Sequence, residues 1–217
     1  SNIKLDHFTE ISASIKKQGR SSGGELIVGL PGETKESFTK GVKQIIDSGV
    51  TRLTIYTLMM LYGTEFKDPK YRSDFKMKGK FRIVPLNYGE YDSKKIFDYE
   101  EVAIQTNTTS FKEYLDLRGF ALFVESLING RPFDELFSYA EQFGISRTKI
   151  IKSLQDNMLE APKKVHNLYK QFIDETKDEL WDSEEELVNH YRQEKNYSRL
   201  KKGLVGGNLI YKYKSES

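Results

Sequence analysis

Apolar positions fall at helical or strand spacing along most of the chain. Leu5, Phe8, Ile11 and Ile15 step by three and four, which predicts an amphipathic helix that closes at Gly19, just after Lys16 and Lys17. The run Glu25-Leu-Ile-Val-Gly-Leu30 shows no alternation, the pattern of a parallel strand covered on both faces. Helical spacing returns with Phe38, Val42, Ile45 and Ile46, behind a predicted N-cap at Thr34, and stops at Ser48-Gly49. Leu53 to Leu58 predicts a second strand. Residues 2–58 therefore read helix, strand, helix, strand, with one βαβ crossover complete. Two parallel strands alone make a poor sheet. Further strands are expected from upstream residues, or from a second copy of the chain pairing through the open edges.

The texture changes after residue 66. Residues 67–80 are rich in Lys, Asp and Arg and read as a loop or linker. Phe81 to Leu86 predicts a short strand that Pro85 confines to an edge. Beyond Ser110 the spacing is helical. A Ser110/Glu113 capping box opens a helix through Leu117, Phe120, Val124 and Leu127 that ends at Asn129-Gly130. Pro132 suits the first turn of the next helix, which carries Phe133, Leu136, Phe137, Ala140 and Phe143. Helices are expected near 147–159, 163–179 and 184–197, the last behind a Ser183/Glu186 capping box. Residues 204–211 read as a small hairpin or a tail. The expected division is 1–66, 67–109 as a linking extension with short strands, and 110–217 as a helical domain.

Composition narrows the chemistry. Of the 217 residues, 37% are hydrophobic and 30% charged, with a net charge of +2, so the average field draws neither nucleic acid nor membrane. No apolar run approaches the roughly 20 residues of a spanning helix, and no signal-peptide core opens the chain. A cytoplasmic address is expected. Ser1-Asn2 is set aside as the expected remnant of a tag. The three histidines, His7, His166 and His190, share no metal-ligand spacing. There is no cysteine, hence no disulfide and no thiolate-held iron–sulfur cluster within these residues.

The stretch that carries chemistry is Glu25-Leu-Ile-Val-Gly-Leu-Pro-Gly-Glu-Thr34. Gly29 and Gly32 let backbone approach a ligand closely, at the carboxyl end of a strand and the start of a helix, where α/β folds bind their ligands. No Lys-Ser/Thr pair follows, so it is not a phosphate-binding Walker A loop. These residues, with Leu53 to Leu58 and Gly63-Thr64 after them, resemble the fifth and sixth strands of radical SAM enzymes in the form Gly-Leu-Pro-Gly-Glu-Thr.

The resemblance implies α/β followed by mainly α: the last two βα units of a (β/α)6 partial TIM barrel plus a C-terminal helical domain. It also implies S-adenosylmethionine and a 4Fe–4S cluster in a full-length parent, cleavage of that cofactor to a 5′-deoxyadenosyl radical, and an unidentified small-molecule substrate. Ile27 is expected near adenine, with Gly29, Leu30, Pro31, Gly32 and Glu33 shaping the nucleoside floor. Backbone groups of Thr57, Leu58 and Met59 are expected to bond adenine. Residues 67–130 more loosely resemble the extension of cobalamin-dependent members, which adds cobalamin as an optional cofactor. The cysteine loop and the earlier strands are missing, so the chain is expected to be an inactive fragment whose partner is the rest of the barrel.

Plainer readings stand beside these. Glu33 is expected to favour the positive end of the following helix rather than to touch a ligand. Asp98, Glu100 and Glu101 read as a solvated helix start, not an acid/base pair. Tyr88, Tyr91 and Tyr99 are expected to pack the joint between the barrel and the helices, and Trp181 to anchor a helix junction. Arg118, alone in an apolar helix, calls for a buried partner or a substrate contact. The alternative function is a non-catalytic binding module, which predicts an exposed apolar or basic stripe on the later helices.

Overall fold

The computed structural model describes residues 20–216 without a break, together with 10, 11, 14, 15 and 18. Of the expected first helix, Ile11 and Ile15 are helical, while Leu5, Phe8 and Gly19 lie outside the described residues. Strand β1 (Gly23–Val28), helix α1 (Lys35–Asp47) and strand β2 (Arg52–Thr57) form the predicted crossover, with the two strands parallel and Ile27 beside Tyr56. Thr34 caps α1 as expected and exchanges its capping bonds with Ser37. Phe38, Val42 and Ile46 of α1 pack on Val28, Leu53 and Ile55.

The two-faced burial expected of β1 is not what the sheet shows. Alternation sends Val28, Leu53, Ile55 and Thr57 inward, while Glu25, Ile27 and Tyr56 are exposed on the other face. Nor does the strand pair end at residue 57. Leu58 donates its N–H to the Val28 carbonyl and accepts from Ala103, and Met60 donates to the Glu101 carbonyl. The segment after β2 thereby stitches the parallel pair to the next sheet.

That sheet is an antiparallel hairpin, β3 (Lys78–Tyr91) with β4 (Lys94–Gln105). Residues 67–80 are not a loop. Asp68 caps a short helix α2 (Pro69–Asp74) by accepting from the Tyr71 N–H, and β3 starts at Lys78. The predicted edge strand at Phe81 is the middle of β3. Pro85 is tolerated because the ladder is interrupted between Ile83 and Tyr88, where no N–H is required of it. Asp98, Glu100 and Glu101 belong to β4 rather than to a helix start. Glu101 is buried and held by Lys67 at 2.5 Å and Arg72 at 2.8 Å.

The helices follow the predicted order with shifted boundaries. The Ser110/Glu113 capping box opens α3 (Phe111–Phe123), which runs into one π-helical turn, Val124–Ile128. Next come α4 (Asp134–Glu141), starting two residues after Pro132, and α5 (Arg147–Asp156) with a 3₁₀ turn behind it. Helix α6 (Lys163–Asp178) is as expected. The helix expected over 184–197 is broken at the extended Gln193 into α7 (Glu184–Arg192) and α8 (Glu194–Lys201). Ser183 caps α7. The C-terminal segment is a helix, α9 (Leu209–Glu216), rather than a hairpin or a tail. Gly206, at φ +71 and pressed on Leu200 and Ile83, turns the chain so that Leu209, Ile210 and Tyr213 join the core.

One core links α1, β1 and β2 to α3, α5, α6 and α9. A second lies between the hairpin and α7–α8, with Trp181 exchanging two 2.8 Å backbone bonds with Phe81. Tyr88 donates to the Leu200 carbonyl and Tyr99 to Glu184, so both fasten the hairpin to the helices; Tyr91 stays exposed. At Leu53 the outer edge of β2 is met by a side chain. The Asn129 amide accepts from the Leu53 N–H and donates to the Leu53 carbonyl, both at 2.9 Å, imitating a neighbouring strand. The π turn of α3 delivers that amide. Among the described residues no helix is long and apolar enough to cross a membrane.

Removing the amide would leave two buried backbone groups unsatisfied. Asn129→Ala should therefore lower the unfolding free energy by about 2–4 kcal/mol, read from urea denaturation.

Candidate functional site

The site is built where β1 ends. Gly29 has φ +99, and a methyl there would meet the Ala103 carbonyl at 3.3 Å and the Leu58 side chain at 3.6 Å. Its missing side chain is thus filled by β4 and the strand extension, so the glycine serves packing on that side and not the approach of a ligand. Gly32 differs. With φ +83 and nothing within 4 Å, its backbone faces open space. Leu30-Pro31-Gly32-Glu33 carries the residues of a type II turn, closed by the Glu33 N–H on the Leu30 carbonyl at 3.2 Å.

The turn is clamped from below. The Glu33 carbonyl accepts from the hydroxyls of both Thr108 and Thr109, each at 2.9 Å. Those threonines are held in a tight loop by the Thr106 hydroxyl, which accepts from their N–H groups at 3.2 Å. Sequence reasoning missed all three. The signal available was the polar run Thr106-Asn-Thr-Thr109 directly before a capping box, a composition suited to side-chain-closed turns. Lys35, at the start of α1, adds a 2.8 Å ion pair to Asp116 of α3.

Above this anchored turn the strand ends carry an exposed apolar shelf. Ile27 is 40%, Tyr56 49% and Met59 42% exposed, and Leu30, Leu61 and Tyr62 are exposed as well. Ile27, Leu30, Pro31, Gly32 and Met59 thus lie at or just beyond the carboxyl ends of β1 and β2. The Leu58 N–H donates to Val28 and its carbonyl accepts from Ala103, so it offers no free N–H to a base. Thr57 points inward, and its buried hydroxyl has no partner.

Thr34 and Ser37 cap α1, and burial raises the Glu33 carboxyl from its ordinary value. Among the described residues no group of three histidines or carboxylates could hold a metal, and the chain contains no thiolate for an iron–sulfur cluster.

The chain is 26% identical over 186 residues to the cobalamin-dependent radical SAM methyltransferase TokK of Streptomyces tokunonensis. The match covers 80% of this chain and 27% of TokK, so the chain spans about a quarter of the length of the curated relative it matches. No family model matches. The similarity supports a radical SAM-related chain at the level of distant homology, and the relative is an enzyme.

The Glu33 shift has a measurable consequence. A carboxyl whose folded pKa lies above its unfolded value stabilises the fold below the unfolded pKa, and that contribution is lost as pH rises through the folded pKa. Glu33→Gln, which abolishes the titration, should therefore melt slightly above the parent near pH 7, and the gain should vanish at about pH 3, as followed by circular dichroism.

Proposed function

We propose that the chain is the last part of a radical SAM enzyme: the final two βα units of a (β/α)6 partial barrel, followed by a helical region that covers the substrate side. One observation carries this reading in a chain similar to TokK. The β1–β2 pair is buried on one face only, and its other face presents Ile27 and Tyr56 beside the open Gly32 turn. An apolar shelf at the carboxyl ends of parallel strands suits the flat face of a nucleoside, with missing barrel strands beside it.

On this reading Ile27, Leu30 and Met59 contact the adenosine of S-adenosylmethionine. Pro31, Gly32 and Glu33 shape the floor beneath it, and the Thr108–Thr109 clamp fixes that floor. Gly29 is a packing residue. The 4Fe–4S cluster does not fit this chain, which has no cysteine to ligate it, so its ligands belong to the rest of the parent. In that parent the cluster would supply the electron for reductive cleavage of S-adenosylmethionine. Methyl transfer with cobalamin is the finer expectation that the name of TokK suggests. The residues of this chain bind and orient; alone it is inactive.

A second reading has its own support. Phe133, Leu136, Tyr139 and Phe143 form an exposed apolar stripe along α4, the feature expected of a protein-binding helix. It is compatible with a role inside the larger enzyme.

Calorimetry separates the readings. The chain alone should show no S-adenosylmethionine binding in the micromolar range, because the cluster and the amine site are absent. A parent protein with three closely spaced upstream cysteines should bind it, and Ile27→Asp there should weaken binding about ten-fold or more. Micromolar binding by this chain alone, or a parent without such cysteines, contradicts the proposal.

A further inference from the structure

Arg118 answers the question its sequence context raised. It is 6% exposed in the middle of α3, and among the described residues it makes no hydrogen bond and no ion pair; its Nε is buried without a partner. The charged side chains around it are engaged with one another. Arg82 donates to Glu100 at 2.6 Å and to Glu179 at 3.2 Å, and Glu125 accepts from Asn129 and from Lys214. The excess negative charge of Glu100 and Glu179 over Arg82 offsets Arg118 at a distance, but no carboxylate reaches it. Burial lowers its pKa, and the neighbouring Arg82 lowers it further. A guanidinium in that position is costly unless something accepts its protons.

The space for such a group exists. Arg118 lines a cavity of about 90 Å³ between the outer edge of β2, the hairpin and the start of α9. A water needs about 10–15 Å³ of such space, so the cavity holds several waters or one small organic acid. Glu125 and Glu179 line it too, their carboxylates already engaged by Asn129, Lys214 and Arg82, and the outer edge of β2 adds carbonyls as well as donors. Arg52 and Leu58 turn their N–H groups toward β1, so Ile55 and Thr57 turn theirs to the outer edge, where no strand pairs with them. Leu53, on the same edge, is already satisfied by Asn129. The Thr57 hydroxyl is buried without a partner, and the first residues of α9 complete the wall.

We propose that this cavity is a carboxylate-binding site in which Arg118 presents its free guanidinium edge to the ligand. The planar fork of arginine matches the two oxygens of a carboxylate, and the Ile55 and Thr57 N–H groups with the Thr57 hydroxyl take the remaining lone pairs. The ligand is either a free small acid or the carboxylate end of a longer molecule. The assignment rests on the cavity and not on the S-adenosylmethionine reading, and it stands if that reading fails.

The probe is acetate, titrated into the whole chain at constant ionic strength against chloride, with thermal unfolding and calorimetry as readouts. Saturable stabilisation is expected in the parent and in Arg192→Ala, an exposed-arginine control. Arg118→Met should weaken acetate by at least about ten-fold. Ala121→Leu, which fills the cavity and keeps the charge, should do the same and decides the matter if Arg118→Met does not fold. Hexanoate binding as well as acetate would identify the end of a longer molecule; hexanoate excluded while acetate binds would identify a free small acid. No saturable acetate response in the parent overturns the proposal, since the cavity then holds solvent only. An undiminished response in the folded cavity variants overturns it too, as does stabilisation by inorganic phosphate but not by acetate.

Discussion

A parallel strand pair needs both of its faces removed from water, and β1–β2 meets that requirement on one side only. The inner face is closed by α1 and α3. On the outer face Ile27 and Tyr56 stand side by side with no covering element among the described residues. The edge of β2 is capped at Leu53 by Asn129 rather than by a strand, its extension is stitched to β4, and the turn after β1 is held from beneath by two threonine hydroxyls. The fold rigidifies the inner side and the ends of the sheet and leaves the outer face as a preformed surface.

That arrangement explains why the glycine turn is where chemistry is expected. Gly29 lets Ala103 and Leu58 press against the strand end, and Gly32 keeps the top of the turn open. One glycine is used for packing and the other for access, three residues apart. The helical region does more than cover the sheet. Through the π turn it supplies the amide that caps β2 at Leu53, and through Arg118 it places an unpaired cation at the same edge.

Local signals in the sequence identified the elements they physically determine. Thr34, Ser110 and Ser183 all cap helices, because a capping hydroxyl needs only its own next turn. The glycine turn was legible for the same reason. What failed depends on distant partners. Residues 94–105 are charged and lack clean alternation, since Glu101 and Glu100 are buried or half-buried only by pairing with Arg72, Lys67 and Arg82 from elsewhere in the chain. Charge alone made them look solvated. Residues 204–211 read as a small hairpin or a tail because the tight contact of Gly206 with Leu200 and Ile83 is tertiary. The Thr108–Thr109 clamp and the engaged backbone of Leu58 were invisible for the same reason.

The central claim is that the outer face of β1–β2 is an interior surface of a larger barrel. Hydroxyl-radical footprinting tests it directly, comparing this chain with the proposed full-length radical SAM protein. Tyr56 and Met59 should react readily here and become several-fold protected in the longer protein, while the exposed ring of Tyr91 keeps its reactivity in both. Equal labelling of Tyr56 and Met59 in the two proteins would contradict the account.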